Sequence, residues 1–352
     1  MTEPDTEAAP LRLAETVVVS VEPDSVRLIR GAEVLRIRGS VDRLAPVIDA
    51  LRGEGVRLSG VPHEATLHRV TSRLERLGWL SQHDPEARRG TAVERQLGYL
   101  TMFGSDAVAM QERIERSRVA VLGAGAVGGV VAQHLVGSGV RFLWLVDHDR
   151  VERHNLNRQF LAGWDDVGLP KTSVASRALR RLAPDAEIRP VDAFVERPED
   201  LHALPEGLDL LVVAADTPPD IVGIAWRWAA PRGVPIAVAA VGLGSGYWGP
   251  VLDPGKGHCW HCFERVRTSL LTPEDLALER DSPAPTPYSF GPANTVVSAL
   301  LAHEVICFLA TGHCSISNRR GYFNFSGGAT SFLEGGECGC HFADSLKGKI
   351  IG

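Results

Sequence analysis

Residues 118–149 read RVAVLGAGAVGGVVAQHLVGSGVRFLWLVDHD, and this stretch decides the fold. RVAVL is an apolar run of the length expected for a strand buried on both faces. Gly123-Ala124-Gly125-Ala126-Val127-Gly128 comes directly after it and opens a helix-period segment through about Val136. FLWLVD (142–147) is then a second apolar run closed by an acid. Glycines at such a turn let backbone come close to phosphate, where the free N–H groups and dipole of a helix N-terminus favour negative charge. Asp147 stands where a strand-end carboxylate accepts hydrogen bonds from a ribose. Taken together, these features predict a nucleotide site rather than a structural turn, with Gly123, Gly125, Ala126 and Gly128 as its phosphate cradle.

Outward from that stretch, IRPVDA (188–193), LDLLVVAAD (208–216) and PIAVAAVG (235–242) are apolar runs of the same kind, separated by helix-period segments. This alternation predicts an α/β, Rossmann-like doubly wound domain. Upstream, SQHDPEARRGTA (81–92) is polar and holds Pro85 and Gly90, so it reads as a linker that divides the chain into domains 1–85 and 86–352. In the first domain Glu15–Val21, Ser25–Ile29 and Glu33–Ile37 alternate as short strands. Ser40 is placed to cap a helix whose Leu44, Val47, Ile48 and Leu51 share one face before Gly53 and Gly55 stop it. A second helix, 65–77, completes a small α+β, winged-helix-like module. DSPAPTP (281–287) reads as a mobile surface loop.

With 37 Lys+Arg against 43 Asp+Glu the net charge is −6, which gives no basic field to draw the chain to nucleic acid or an anionic membrane. The N-terminus is acidic where a signal peptide needs basic residues, and the apolar 295–311 stretch is broken by His303 and Glu304. The expectation is a cytoplasmic protein with no nucleic-acid or membrane partner.

The segment after Asp147 separates the possible nucleotides. Asn155, Asn157 and Arg158 lie just past the strand end, and GLPK (168–171) brings in Lys171, the only lysine in the first 255 residues. Hydride transfer has no use for an added arginine and lysine near the phosphates, whereas cleavage of a triphosphate must neutralise charge developing there. ATP is therefore expected over a nicotinamide.

With these motifs in place, residues 92–345 resemble the ThiF/MoeB superfamily, related to ubiquitin-activating enzymes, which adenylates the C-terminal carboxylate of a protein or peptide. The resemblance rests on GAGAVG (123–128), LVDHD (145–149), NLNRQF (155–160), GLPK (168–171), AADTP (214–218), CWHC (259–262) and GPANTVVSALLAHEVI (291–306). It implies that Asp147 holds the ribose, that Asn155, Arg158 and Lys171 hold the phosphates, and that Asp216 holds Mg²⁺. Arg95, in ERQLGYL, matches the arginine that such enzymes extend across a homodimer into the partner's ATP site. The catalytic set is thus Arg95, Arg158, Lys171 and Asp216. A carboxylate is already ionised at neutral pH, so no general base is needed.

Six cysteines are too few for a disulfide scaffold in a chain this long. Cys259-x-x-Cys262 and Cys338-x-Cys340 are two close pairs that read as a structural Zn²⁺ site, with a disulfide or free thiols as the alternative and His341 competing with Cys340 for the fourth position. Relatives that pass the acyl group to sulfur use a cysteine between the first pair and the Gly291-Pro292 helix start; residues 263–290 contain none. Cys307 reads as core and Cys314 as a weak candidate nucleophile.

By order, length and fusion partner, residues 11–80 resemble the PqqD-like peptide-recognition elements and peptide-clamp domains of MccB-type enzymes. That likeness implies ATP- and Mg²⁺-dependent adenylation of a ribosomal precursor peptide, recognised through a strand edge. Activation of a ubiquitin-like sulfur carrier, or a non-catalytic leader-binding scaffold for a cyclodehydratase, are the alternatives.

Overall fold

The computed structural model describes residues 10–14, 16–53, 55, 64–81, 88–281 and 288–340. Half of the expected linker (82–87), the proline-rich loop from 282 to 287 and His341 lie outside these residues. The chain forms two compact units, Met1–Arg113 and Ile114–Gly352.

In the first unit β1 (Arg12–Leu13) pairs antiparallel with β5 (Leu80–Ser81), and β2 (Val18–Glu22), β3 (Ser25–Arg30) and β4 (Glu33–Arg38) form a three-stranded antiparallel meander. Between them lie α1 (Val41–Arg52) and α2 (Glu64–Arg76). The alternation seen in the sequence sends Val26 and Leu28 of β3 inward onto Leu44, Ile48 and Leu51 of α1, with Leu74 and Trp79 closing the core. Ser40 begins α1 through its backbone rather than its side chain: its carbonyl accepts from Arg43 and Leu44, and no side-chain cap bond forms.

The division falls beyond the expected linker, after α3 (Glu94–Leu100) and within α4 (Ala107–Arg116). Arg30 explains part of this. Its guanidinium is 2% exposed and donates to the carbonyls of Gly78 and Thr101, the latter at 2.6 Å, and to Met102 Sδ. A buried charge satisfied by the residues after α3 ties that segment to the sheet.

The second unit carries an eight-stranded mixed sheet in the order β13-β12-β11-β10-β9-β6-β7-β8. Its parallel part is β6 (Arg118–Leu122), β7 (Phe142–Asp147), β8 (Glu187–Asp192), β9 (Leu210–Val213) and β10 (Ile236–Val241). These are the five apolar runs of the sequence. Residues on one face, among them Leu122, Trp144, Val213 and Val238, form a core with α7 (Ile221–Ala229). On the other face the alternating residues Val121, Leu143, Leu145 and Val212 are fully buried. There α5 (Ala126–Gly137) packs against α6 (Lys171–Leu182) and α10 (Gly291–Thr311).

The sheet continues, antiparallel, through β11 (Ser245–Leu252), β12 (Arg319–Asn324) and β13 (Ala329–Glu334), which the apolar-run pattern does not reveal. β11 contains Gly246, Gly249 and Pro250, residues that weaken a strand reading. Packing dictates them. A Cβ on Gly249, at φ +84°, would meet Arg319 O at 2.6 Å, and one on Gly321 would enter the Trp248 ring at 2.4 Å. The remaining helices are α8 (Trp260–Ser269) and α9 (Pro273–Asp281). α10 is long and apolar enough to cross a bilayer by length and composition alone, but it packs against α5, β10 and β11 and is largely buried.

Candidate active site

At the C-terminal ends of β6, β7, β9 and β10 the second unit opens into a cleft of 590 Å³, where ligands bind in open α/β sheets. The glycine loop forms its floor. Gly123 has φ +95°, and a Cβ there would strike Ala214 and Ala215 backbone at 2.7–2.9 Å, so glycine lets the loop lie against the end of β9. A Cβ on Gly128 would lie 1.8 Å from Gly123 O, so that glycine serves the helix–loop contact and does not line the cleft. Gly125 differs: a Cβ would meet only Gln159 Nε2 at 3.7 Å, which leaves its outer side open to a ligand. Gly125 also precedes α5 with no side-chain cap, so the first N–H groups of that helix remain available at the cleft.

The structure brings Gly123, Gly125, Ala126, Asp147, Asn155, Arg158, Lys171 and Asp216 to this one cleft. Asp147 is held by two backbone donors, Ala124 N–H to Oδ2 at 2.7 Å and Asp149 N–H to Oδ1 at 2.8 Å, which locks it between the glycine loop and its own strand end. Asn155 is buried, with Oδ1 accepting from Glu152 N–H at 3.0 Å, and so shapes the turn that presents Arg158. Arg158 donates to His154 O and, at 2.9 Å, to Asn157 Oδ1. Burial lowers its guanidinium from the ordinary arginine value, and the nearby Asp216 carboxylate opposes that. Lys171 pairs with Asp149 at 2.7 Å. Asn157 does not line the cleft; its amide donates to Ser289 O at 3.4 Å and ties the loop to the start of α10. Arg95 lies on α3 of the first unit.

Among the lining residues that escaped the sequence reading are Asp149, Gln159, Ser289 and Asn294. Each sits inside or beside a quoted motif but reaches the cleft only through the fold. Asn294 donates to Ser289 Oγ at 2.9 Å and to Phe290 O at 2.8 Å, fixing the approach to α10. The lining carboxylates Asp147, Asp149, Glu152 and Asp216 outnumber the fixed cations Arg158 and Lys171. Hard oxygen donors in excess are the ligand type that Mg²⁺ takes.

Cys259, Cys262, Cys338 and Cys340 are all free thiols whose sulfurs lie within 4.8 Å of one another, with Cys259–Cys340 at 3.4 Å and Cys262–Cys338 at 3.7 Å. Four thiolates around Zn²⁺ stand about 3.8 Å apart. The donor set therefore fits a closed tetrahedral zinc site. Burial pushes the Cys259 and Cys338 thiols up. Burial also raises Cys307 and Cys314, each to about 12, so neither is an activated nucleophile.

A model of the ThiF family matches residues 93–334. The chain belongs to the ThiF family. Among curated relatives of this ThiF-family chain, the SAMP-activating enzyme E1 of Haloferax volcanii is 43% identical over 109 residues, 31% of this chain and 40% of that protein. The sulfur carrier protein adenylyltransferase of Thermus thermophilus is 37% identical over 159 residues, 44% of this chain and 57% of that protein. The chain thus spans about half the length of these relatives. Among solved structures, Escherichia coli MccB superposes with a TM-score of 0.79 at 22% identity, over 95% of this chain and 96% of that one. PaaA superposes with a TM-score of 0.64 at 21% identity, over 77% of this chain and 92% of that one. At these identities the likeness is one of fold.

Proposed function

We propose that this chain adenylates a carboxylate, the C-terminus of a ribosomally made precursor peptide, using ATP and releasing pyrophosphate. The observation that carries the reading is the meeting of Asp147, Arg158, Lys171 and Asp216 in one cleft at the N-terminus of α5. The carboxylate oxygen attacks the α-phosphorus, the bond to the β-phosphate oxygen breaks, and pyrophosphate leaves with the electron pair. No proton need be removed, so the protein's task is alignment and neutralisation. Gly125 and the α5 N–H groups receive phosphate, Asp147 retains the ribose, and Arg158 and Lys171 balance charge on the departing side. Mg²⁺, when bound, neutralises the triphosphate, and Asp216 is the residue that would hold it.

In this reading the four cysteines hold a structural zinc ion, and the chain works in the cytoplasm as a homodimer in which Arg95 reaches the partner's site. The first unit recognises the precursor peptide: β2 and β4 each have one edge without a strand partner among the described residues, where an extended peptide could add by main-chain hydrogen bonds. MccB has been solved with MccA peptides and with ATP, which supports a peptide substrate for this shared fold. The names of the Haloferax and Thermus relatives favour a second reading, activation of a ubiquitin-like sulfur carrier.

ATP–pyrophosphate exchange, measured with and without the small peptides encoded beside the gene and compared with Lys171→Ala, tests both. Peptide-dependent exchange lost in the variant is the expected result. Exchange driven only by a carrier protein would replace the peptide reading with the second. Tight peptide binding with no exchange under any condition would leave a leader-delivering scaffold.

A further inference from the structure

Lys171 is the only lysine among the residues lining the cleft, and its ammonium is already engaged. Its Nζ donates to Asp149 Oδ2 at 2.7 Å, and its backbone N–H donates to Asp149 O at 2.9 Å. The lysine side chain is 10% exposed and the aspartate 50%. On the opposite side of the same carboxylate, Asp149 Oδ1 lies 3.2 Å from His148 Nε2, and the His148 ring packs edge-on against Phe194 at 4.4 Å. Asp149 is itself oriented by its backbone N–H, which donates to Asp147 Oδ1. A carboxylate fixed at this many points holds the lysine at the cleft wall.

We propose that Asp149 is the positioning residue for Lys171: it holds the ammonium extended and shielded while the cleft is empty and releases it to the phosphates when nucleotide enters, with His148 remaining beside the freed carboxylate. This rests on the nucleotide-binding reading of the cleft. A triphosphate carries several charges against one on Asp149, so it can win the lysine, but entry must break the 2.7 Å pair. Asp149 therefore opposes nucleotide affinity while it aims the group that the reaction needs. A residue with only a structural role would lower affinity and rate together.

The test is calorimetric titration of ADP, without metal, into wild type, Asp149→Asn, Lys171→Met and the double variant, with pyrophosphate exchange at saturating ATP and melting curves run in parallel. Asp149→Asn should tighten ADP by about tenfold, because no pair has to be broken, while slowing exchange. Asp149→Glu, which keeps the charge, should recover most of the exchange rate. In the Lys171→Met background the gain from Asp149→Asn should be smaller, by about fivefold or more. Equal gains in both backgrounds would mean that Asp149 acts only as a nearby charge, and weaker ADP binding by Asp149→Asn would mean that it supports the nucleotide directly; either overturns the proposal. Failure of the wild type to bind ADP would instead sink the nucleotide reading itself, before any substitution is compared.

Discussion

Alanine at Gly128 and alanine at Gly125 should separate folding from binding within a single loop. A Cβ on Gly128 would stand 1.8 Å from Gly123 O and 3.0 Å from Val121 Cγ1. Since Cβ contacts inside 3.0 Å are essentially never made, the loop or the helix must retreat by about 1.2 Å. The loop has little room to move: the Gly123 N–H donates to Val146 O at 2.8 Å, and its α-carbon is seated against Ala214 and Ala215. Overpacking costs about 1–3 kcal/mol, and a rigid backbone partner places Gly128→Ala at the upper end. For a unit of this size about 3 kcal/mol lowers the melting temperature by roughly 6–12 °C. Gly125→Ala meets only Gln159 Nε2 at an ordinary 3.7 Å and loses only the N-cap preference of glycine over alanine, about 0.5–1 kcal/mol, so its melting temperature should fall by no more than about 1–4 °C. Its methyl group, however, stands where a phosphate must approach the first N–H groups of α5. Losing one charge-assisted hydrogen bond, about 1.5–3 kcal/mol, weakens ATP by roughly 10–100-fold. Melting curves with and without ATP, then calorimetry, read both effects. A Gly128→Ala protein that melts with the wild type, or a Gly125→Ala protein that binds ATP normally, would refute the division of roles.

Elemental analysis should find about one zinc per chain in wild type and none in Cys262→Ser, with a clear fall in melting temperature, because binding energy at a closed thiolate site is folding energy. Wild type free of zinc at full stability would contradict this. With its thiol raised to about 12, Cys314 is roughly 10⁻⁴ thiolate at pH 8, so its alkylation should lag far behind free cysteine and rise with pH up to that value; fast labelling at pH 8 would show an accessible, unshifted thiol. In the proposed homodimer, Arg95→Ala and Lys171→Ala should each abolish exchange, yet mixing and re-equilibrating the two should restore about a quarter of wild-type activity, since half of the dimers would then carry one complete site. No recovery would place Arg95 in its own subunit's site or remove it from the reaction.

The parallel half of the large sheet was legible because strands buried on both faces must be apolar throughout, and RVAVL, FLWLVD and LLVV state this directly. The antiparallel half was not, because β11 uses Gly249 and Pro250 and β12 uses Gly321 to accept close neighbours, residues that otherwise mark turns. The site obeys the same division. Asp147, Arg158, Lys171 and Asp216 come after strand ends or at a helix start in the order of the chain, so motif spacing places them. Asn294 lies over 130 residues beyond Arg158 and reaches the cleft only because α10 packs on α5, a contact no local pattern encodes. The motif assigns Asn157 to the nucleotide, yet the fold turns its amide to Ser289.

The cysteines bear on what happens after adenylation. All six are placed: four converge on one another, Cys307 is buried on α10, and Cys314 is a thiol held protonated by burial and by the Glu304 carboxylate. None of them lines the nucleotide cleft. On the proposed reading, an acyl-adenylate formed there would have no resident thiolate to capture it, and the thiols outside the four-cysteine cluster, Cys307 and Cys314, have pKa values far from those of attacking sulfur. The mixed anhydride would then be resolved by a nucleophile brought from outside, either a second substrate group or part of the peptide itself.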